Sequence, residues 1–294
     1  MGIFLDLSLN GLFNGALYAL VAIAIVLVFK ATQVVSLAHG QLLSFGALFF
    51  WFTYVAFGLP LWLSLLIALV CGGLLGFTVE RLCLRPLIGQ PLFSSFLMTF
   101  AIFMFFDGIF QLILKGQALG FPDFLPKGII AVNSTKIFVG NLWSFGICLG
   151  VFLLIMLVFK YTKVGLGMRA TAESHKLAQS AGISVRRIFS LTWIMSACIA
   201  VIAGITLARV MDICFYLPWG MIKGFIVAMV GGLDSLIGAV VAGLLLGWLE
   251  GMIAGYVDPF IGGAIKDVAA YVILLIILLV RPYGLFGLVK IERV

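Results

Sequence analysis

The chain has 294 residues, 64% of them hydrophobic and only 10% charged, with a formal net charge of +7. A soluble domain is nearer half apolar and a quarter charged, so this composition excludes an ordinary soluble protein and points to an integral membrane protein. The basic surplus does not signal nucleic acid, because Lys and Arg gather in loops and at the ends of apolar runs, where they set topology.

A membrane-crossing helix needs ~20 mostly apolar residues. Such runs fall at roughly 7–29, 36–57, 60–79, 92–114 and 138–159, then at roughly 188–208, 213–232, 236–257 and 261–280. Continuous runs, without the short alternating segments of a barrel, predict an all-α polytopic transmembrane bundle of about 8–9 spans in a single domain, 1–294. The first ten residues, MGIFLDLSLN, carry no Lys or Arg, so no cleavable signal is expected. Asp6 stands where a myristoylation signal needs Ser or Thr.

The second run begins at Ser36-Leu37-Ala38-His39-Gly40-Gln41. His39 has two readings: a histidine hydrogen-bonded to a neighbouring helix, or a polar element of a translocation path or gate. Asp107 lies deeper in its run, after LMTFAIFMFF. Ser36, His39, Gln41 and Asp107 are therefore the candidate path or gate residues. The 115–137 loop carries the sequon Asn133-Ser134-Thr135, read as a chance match. The seventh run contains Pro218 and Lys223 and ends at Gly231-Gly232, so it is expected to be short, broken or re-entrant. Asp212, Lys223, Asp234, Glu250 and Asp267 are further ionisable residues, most near run ends, where snorkelling makes them cheap.

Small-residue clusters punctuate the runs: Gly72, Gly73 and Gly76; Gly238, Ala242 and Gly243; Gly247 and Gly251. They predict close helix packing. The five cysteines show no CxxC spacing and read as small buried hydrophobes. There is no HExxH, GxSxG or GxxxxGK[ST], so no catalytic, metal or cofactor site is expected in this chain.

Residues 160–187 are the most charged stretch, with Lys160, Lys163, Arg169, Lys176, Arg186 and Arg187 against Glu173 alone. The positive-inside rule puts this loop in the cytoplasm, the N-terminus outside and the C-terminus inside. Within it, ATAESHKLAQSA at 170–181 predicts a short helix. Ala170, Ser174, Leu177, Ala178 and Ala181 would share one side, Glu173 would pair with Lys176, Gly182 would stop the helix and Ser184 would cap the next. Such a helix is either a docking element for a partner or an amphipathic connector resting on lipid headgroups.

Four stretches carry a resemblance. Gly167-Met168-Arg169-Ala170-Thr171-Ala172-Glu173, running on to Ala181-Gly182-Ile183, looks like the coupling loop of ABC importer permeases. Val35-Ser36-Leu37-Ala38-His39-Gly40, Gly231-Gly232-Leu233-Asp234-Ser235-Leu236-Ile237-Gly238-Ala239 and Arg281-Pro282-Tyr283-Gly284-Leu285-Phe286-Gly287 are similar to segments of the branched-chain amino acid permease family, which includes urea and short-amide permeases. Asp234 and Ile237 replace a glycine and a proline of the family pattern, and Ser174-His175 replace two alanines of the coupling pattern.

The resemblance implies a permease subunit of the bacterial inner membrane that pairs with a second permease, homologous or identical. Two cytoplasmic ATPase subunits carrying ATP and Mg would bind the coupling loop, with Arg169, Glu173, Lys176 and Gly182 as its candidate residues. An extracytoplasmic solute-binding protein would deliver branched-chain or other amino acids. The competing reading is a stand-alone secondary transporter or channel for a small polar solute such as urea or an amide. No TVGYG-like filter and no i, i+4 acid relay supports it.

Overall fold

A computed structural model of the chain describes residues 2–126, 128–132, 135–173, 175–261 and 265–287. Lys127, Asn133, Ser134, Ser174, Lys290 and Arg293 lie outside the described residues. Helices occupy each expected place: α1 (Gly2–Thr32), α2 (His39–Trp51, continued as a π turn to Ala56), α3 (Leu61–Val79), α4 (Leu92–Leu114) and α5 (Val139–Tyr161). Two shorter helices follow, α6 (Lys163–Glu173) and α7 (His175–Ser180), then α8 (Val185–Met211), α9 (Gly220–Gly231), α10 (Leu236–Tyr256), α11 (Asp258–Ile261) and α12 (Ile265–Val280). Among the described residues, six helices (α1, α3, α4, α5, α8, α10) are long and apolar enough to cross a membrane. In the 115–137 loop, β1 (Ile129–Val132) pairs antiparallel with β2 (Thr135–Phe138), Ile129 opposite Phe138.

The helix ends follow local chemistry. Pro91 opens α4, and Lys115 (φ 51°) closes it in the left-handed region. The seventh run is short, as expected. Ile213 is held in a bridge to Leu119, Leu217–Trp219 form a 3₁₀ turn around Pro218, and α9 has 12 residues. At 1.5 Å per residue, α9 is about 18 Å long, well under the hydrocarbon thickness.

The chain forms two compact units, with α1, α5 and α9 contributing to both. The first comprises residues 1–26, 125–152 and 223–294. In it α1 packs closely against α10. A Cβ on Gly11 would meet the Gly247 carbonyl, and one on Gly251 would lie 2.9 Å from the Gly11 Cα. Gly243 and Gly15 abut in the same way. In lipid, where apolar tails offer no hydrophobic gain, such backbone approach is what holds helices together. Cys148 Sγ reaches the Ala16 carbonyl at 2.9 Å. It is the one buried cysteine among the described residues; the other four are only partly buried, which corrects the expectation of five buried thiols.

The second unit comprises residues 27–124 and 153–222. Here α8 is central. Gly46 of α2 backs onto Val201, while Gly72 and Gly76 of α3 back onto Val201 and Ala197. Phe50, Ala68, Val201 and Ile205 form its packed core, with Phe121 stacked on Phe50.

Candidate coupling surface and translocation path

The charged loop folds onto the base of α8. Thr162 starts α6, its Oγ1 accepting the Gly165 N–H at 3.1 Å, as an N-cap does. The α7 end has the paired bonds of a Schellman turn. The Ile183 N–H reaches the Ala178 carbonyl and the Gly182 N–H reaches the Gln179 carbonyl, both at 3.0 Å. Gly182 sits at φ 81°, a conformation that glycine adopts without a Cβ penalty. The underside is apolar: Ala178, Val185 and Phe189 pack with Ala170, Ile183 and Ile88. Arg169 and Glu173 face outward.

Three details differ from the sequence reading. The helical segment begins at Lys163, seven residues before the 170–181 stretch of the sequence reading. Leu177 does not join Ala178 underneath but is 72% exposed, and Ala181, in the Schellman turn that lifts the chain away after Ala178, is exposed too. Ser184 holds the N-cap position of α8 but its hydroxyl makes no capping bond. The Lys176 side chain, and with it the Glu173–Lys176 pair, lies outside the described residues.

The second place is the start of α2. Gln33, at φ 58°, ends α1, and residues 34–38, partly or fully buried, lead into α2. The Leu37 N–H meets Thr99 Oγ1 of α4 at 3.3 Å. His39 is buried: Nε2 is 2.6 Å from Ser196 Oγ of α8, and its ring lies 5.3 Å from that of Trp193. Gln41 Nε2 donates to Asp107 Oδ1 at 2.9 Å, and Asp107 also accepts from Gln111, one turn on. Ser36 Oγ and Gln41 Oε1 are buried with no hydrogen-bond partner among the described residues. Ser36, His39, Gln41 and Asp107 thus surround one helix start.

A cavity of about 160 Å³ lies nearby, lined by Thr32, Glu80, Arg85, Gln90, Ser95 and Trp193. Glu80 is buried. It accepts from Arg85 Nε at 3.3 Å and from Ser190 Oγ at 2.7 Å, while Arg85 Nη2 also donates to Ser190 at 2.7 Å. Ile88 and Phe189 line this cavity and also belong to the apolar cluster under α6 and α7. Contact therefore runs continuously from the α6–α7 surface, through Phe189 and Trp193, to His39.

A third polar group lies in the other unit. Lys223 bonds to both Glu250 and Asp267, which places three separately weighed ionisable residues together. Partners separated by 27 and 44 residues leave no signal in spacing. The available hint was a lysine inside the weakest apolar run.

This architecture of many apolar helices, with small clusters of paired polar groups between them, defines a multi-pass membrane protein of the transporter type. Residues 7–280 match the family model for the branched-chain amino acid transport system permease component, and the chain belongs to that family. It is 28% identical to the high-affinity branched-chain amino acid transport system permease protein BraD of Pseudomonas aeruginosa, covering 99% of this chain and 98% of the relative. It is 26% identical to the LivH permease of Salmonella typhimurium, with the same coverage. A probable LivH of Methanocaldococcus jannaschii is 30% identical over 92% of this chain and 89% of its own length.

Proposed function

We propose that the chain is the membrane-spanning permease subunit of an ATP-driven importer for branched-chain or other amino acids. The observation that carries this reading is the α6–α7 surface: an outward face with Arg169 and Glu173, anchored underneath to α8 and Ile88. Such a surface suits a partner that grips it and moves it. Two cytoplasmic ATPase subunits would dock there, so that ATP binding and hydrolysis occur outside this chain. A second permease, homologous or identical, would complete the pathway, and a solute-binding protein would deliver substrate from outside. The basic 160–187 loop favours a cytoplasmic location for this surface, with the N-terminus outside and the C-terminus inside a bacterial inner membrane.

The contact chain through Phe189 and Trp193 to His39 supports a mechanism in which displacement of α6 and α7 reshapes the start of α2. Ser36, His39, Gln41 and Asp107 would then act as path or gate residues, changing partners as access alternates. The chain would act as one permease domain, its two units moving during that cycle.

The test is co-purification with the partner ATPase after substitution of Glu173→Ala and Gly182→Val. Loss of association, or of substrate-stimulated ATP hydrolysis, is expected. Unchanged association and hydrolysis in both variants overturn the docking assignment. Amino-acid flux through the chain alone, driven only by an ion gradient in liposomes, would overturn the importer reading in favour of a secondary transporter.

A further inference from the structure

Lys223, Glu250 and Asp267 project from α9, α10 and α12 of one unit. The Lys223 ammonium bonds Glu250 Oε1 and, at 3.1 Å, Asp267 Oδ1. Tyr18 of α1 closes one side: its ring centroid is 5.7 Å from Lys223 Nζ. The side chains of Lys223 and Glu250 are 17% and 9% exposed, whereas that of Asp267 is 60% exposed.

A structural ion pair between helices requires only Lys223 and Glu250. Glu250 already balances the charge of Lys223, so Asp267 is a surplus carboxylate, and it stands at the open side of the cluster. An unbalanced carboxylate among apolar helices is costly and attracts a cation. Lys223 has three N–H donors, two of which are engaged by the carboxylates. The open side therefore presents the Asp267 carboxylate, with the Lys223 ammonium 3.1 Å behind it and carrying one N–H beyond the two already engaged. That pattern complements the ammonium and carboxylate carried on one carbon of a free amino acid. Tyr271, four residues along α12 from Asp267 and so on the same side of the helix, is half-exposed and offers an apolar ring to the substrate side chain.

We propose that Lys223 and Asp267, braced by Glu250 and Tyr18, bind the zwitterionic head group of an amino acid in transit, its ammonium on Asp267 and its carboxylate on Lys223. The proposal rests on the amino-acid importer reading and assigns a substrate site within this chain. An amine or a carboxylic acid alone satisfies only one of the two partners. Losing one charge-assisted bond should cost about tenfold to a hundredfold in affinity.

The experiment uses the assembled importer with radiolabelled leucine. Uptake is measured in proteoliposomes with the solute-binding protein present, and direct binding to the detergent-purified complex is measured without it. Wild type is expected to bind leucine saturably, with isoamylamine and 4-methylpentanoate competing about tenfold or more weakly than leucine. Asp267→Asn should lose uptake and binding while keeping its unfolding midpoint, and Asp267→Glu should restore part of both. Wild-type failure to take up leucine, or any other amino acid in a labelled panel, overturns the amino-acid reading and this site with it. Uptake by wild type that is unaffected in Asp267→Asn overturns the site alone. So does absence of saturable leucine binding to the wild-type complex, or equal competition by either single-charge analogue, whatever the folding of the variants.

Discussion

His39 Nε2 and Ser196 Oγ lie 2.6 Å apart, joining the first residue of α2 to the middle of α8. This bond ties the start of α2 to α8. Replacing Ser196 with Ala leaves a buried ring nitrogen without its partner. It should lower stability by about 1–3 kcal/mol, measured by thermal unfolding in detergent. His39→Ala also removes the contact with Trp193 and is expected to be the more damaging of the two.

Arg85 and Glu80 give an asymmetric pair of outcomes. Glu80→Gln keeps a hydrogen-bonding group beside Ser190 and should cost about 1–3 kcal/mol. Arg85→Ala strands a buried carboxylate with only the Ser190 hydroxyl, so the loss should be larger. Unfolding midpoints of the two variants, compared with wild type, check the order.

Gly182 is held at φ 81°, and nothing lies within 4 Å of the position a Cβ would take there, so its constraint is purely backbone. Gly182→Ala should cost about 1–2 kcal/mol. Because the strain falls on the turn that anchors α7, ATPase association should weaken more than global stability. Pull-down and unfolding of the same preparation separate the two.

Gly247 and Gly150 test the packing argument directly. A Cβ on Gly247 would collide with the Gly15 backbone, whereas one on Gly150 meets nothing within 4 Å. Gly247→Ala should destabilise by about 1–3 kcal/mol or more, and Gly150→Ala should be neutral or slightly stabilising. Equal midpoints for the two variants would refute the close-contact account.

Much of the fold was legible because membrane helices announce themselves by length and by their flanks. The run at 92–114 coincides with α4, bounded by Pro91 and by Lys115-Gly116. The small-residue clusters of α3 and α10 lie at close helix contacts because only absent side chains permit that approach. The α6–α7 segment was legible in its glycine stop, but periodicity assigned Leu177 to the covered face, although it is 72% exposed. His39 was recognised as polar within oil, yet Ser196 is 157 residues away and no local pattern names it. The Lys223 cluster was invisible for the same reason. Its members come from three helices, and pairing between distant helices leaves no trace in a single sequence.

The contact between α1 and α10 has a mechanical consequence. Where glycine backbone meets glycine backbone, there are no rotamers to switch and no side-chain volume to redistribute. That seam cannot adopt a second packing by small adjustments, as interdigitated side chains can. During a transport cycle, α1 and α10 should therefore travel as one stiff rail. Strain imposed elsewhere will be taken up at contacts built from larger side chains.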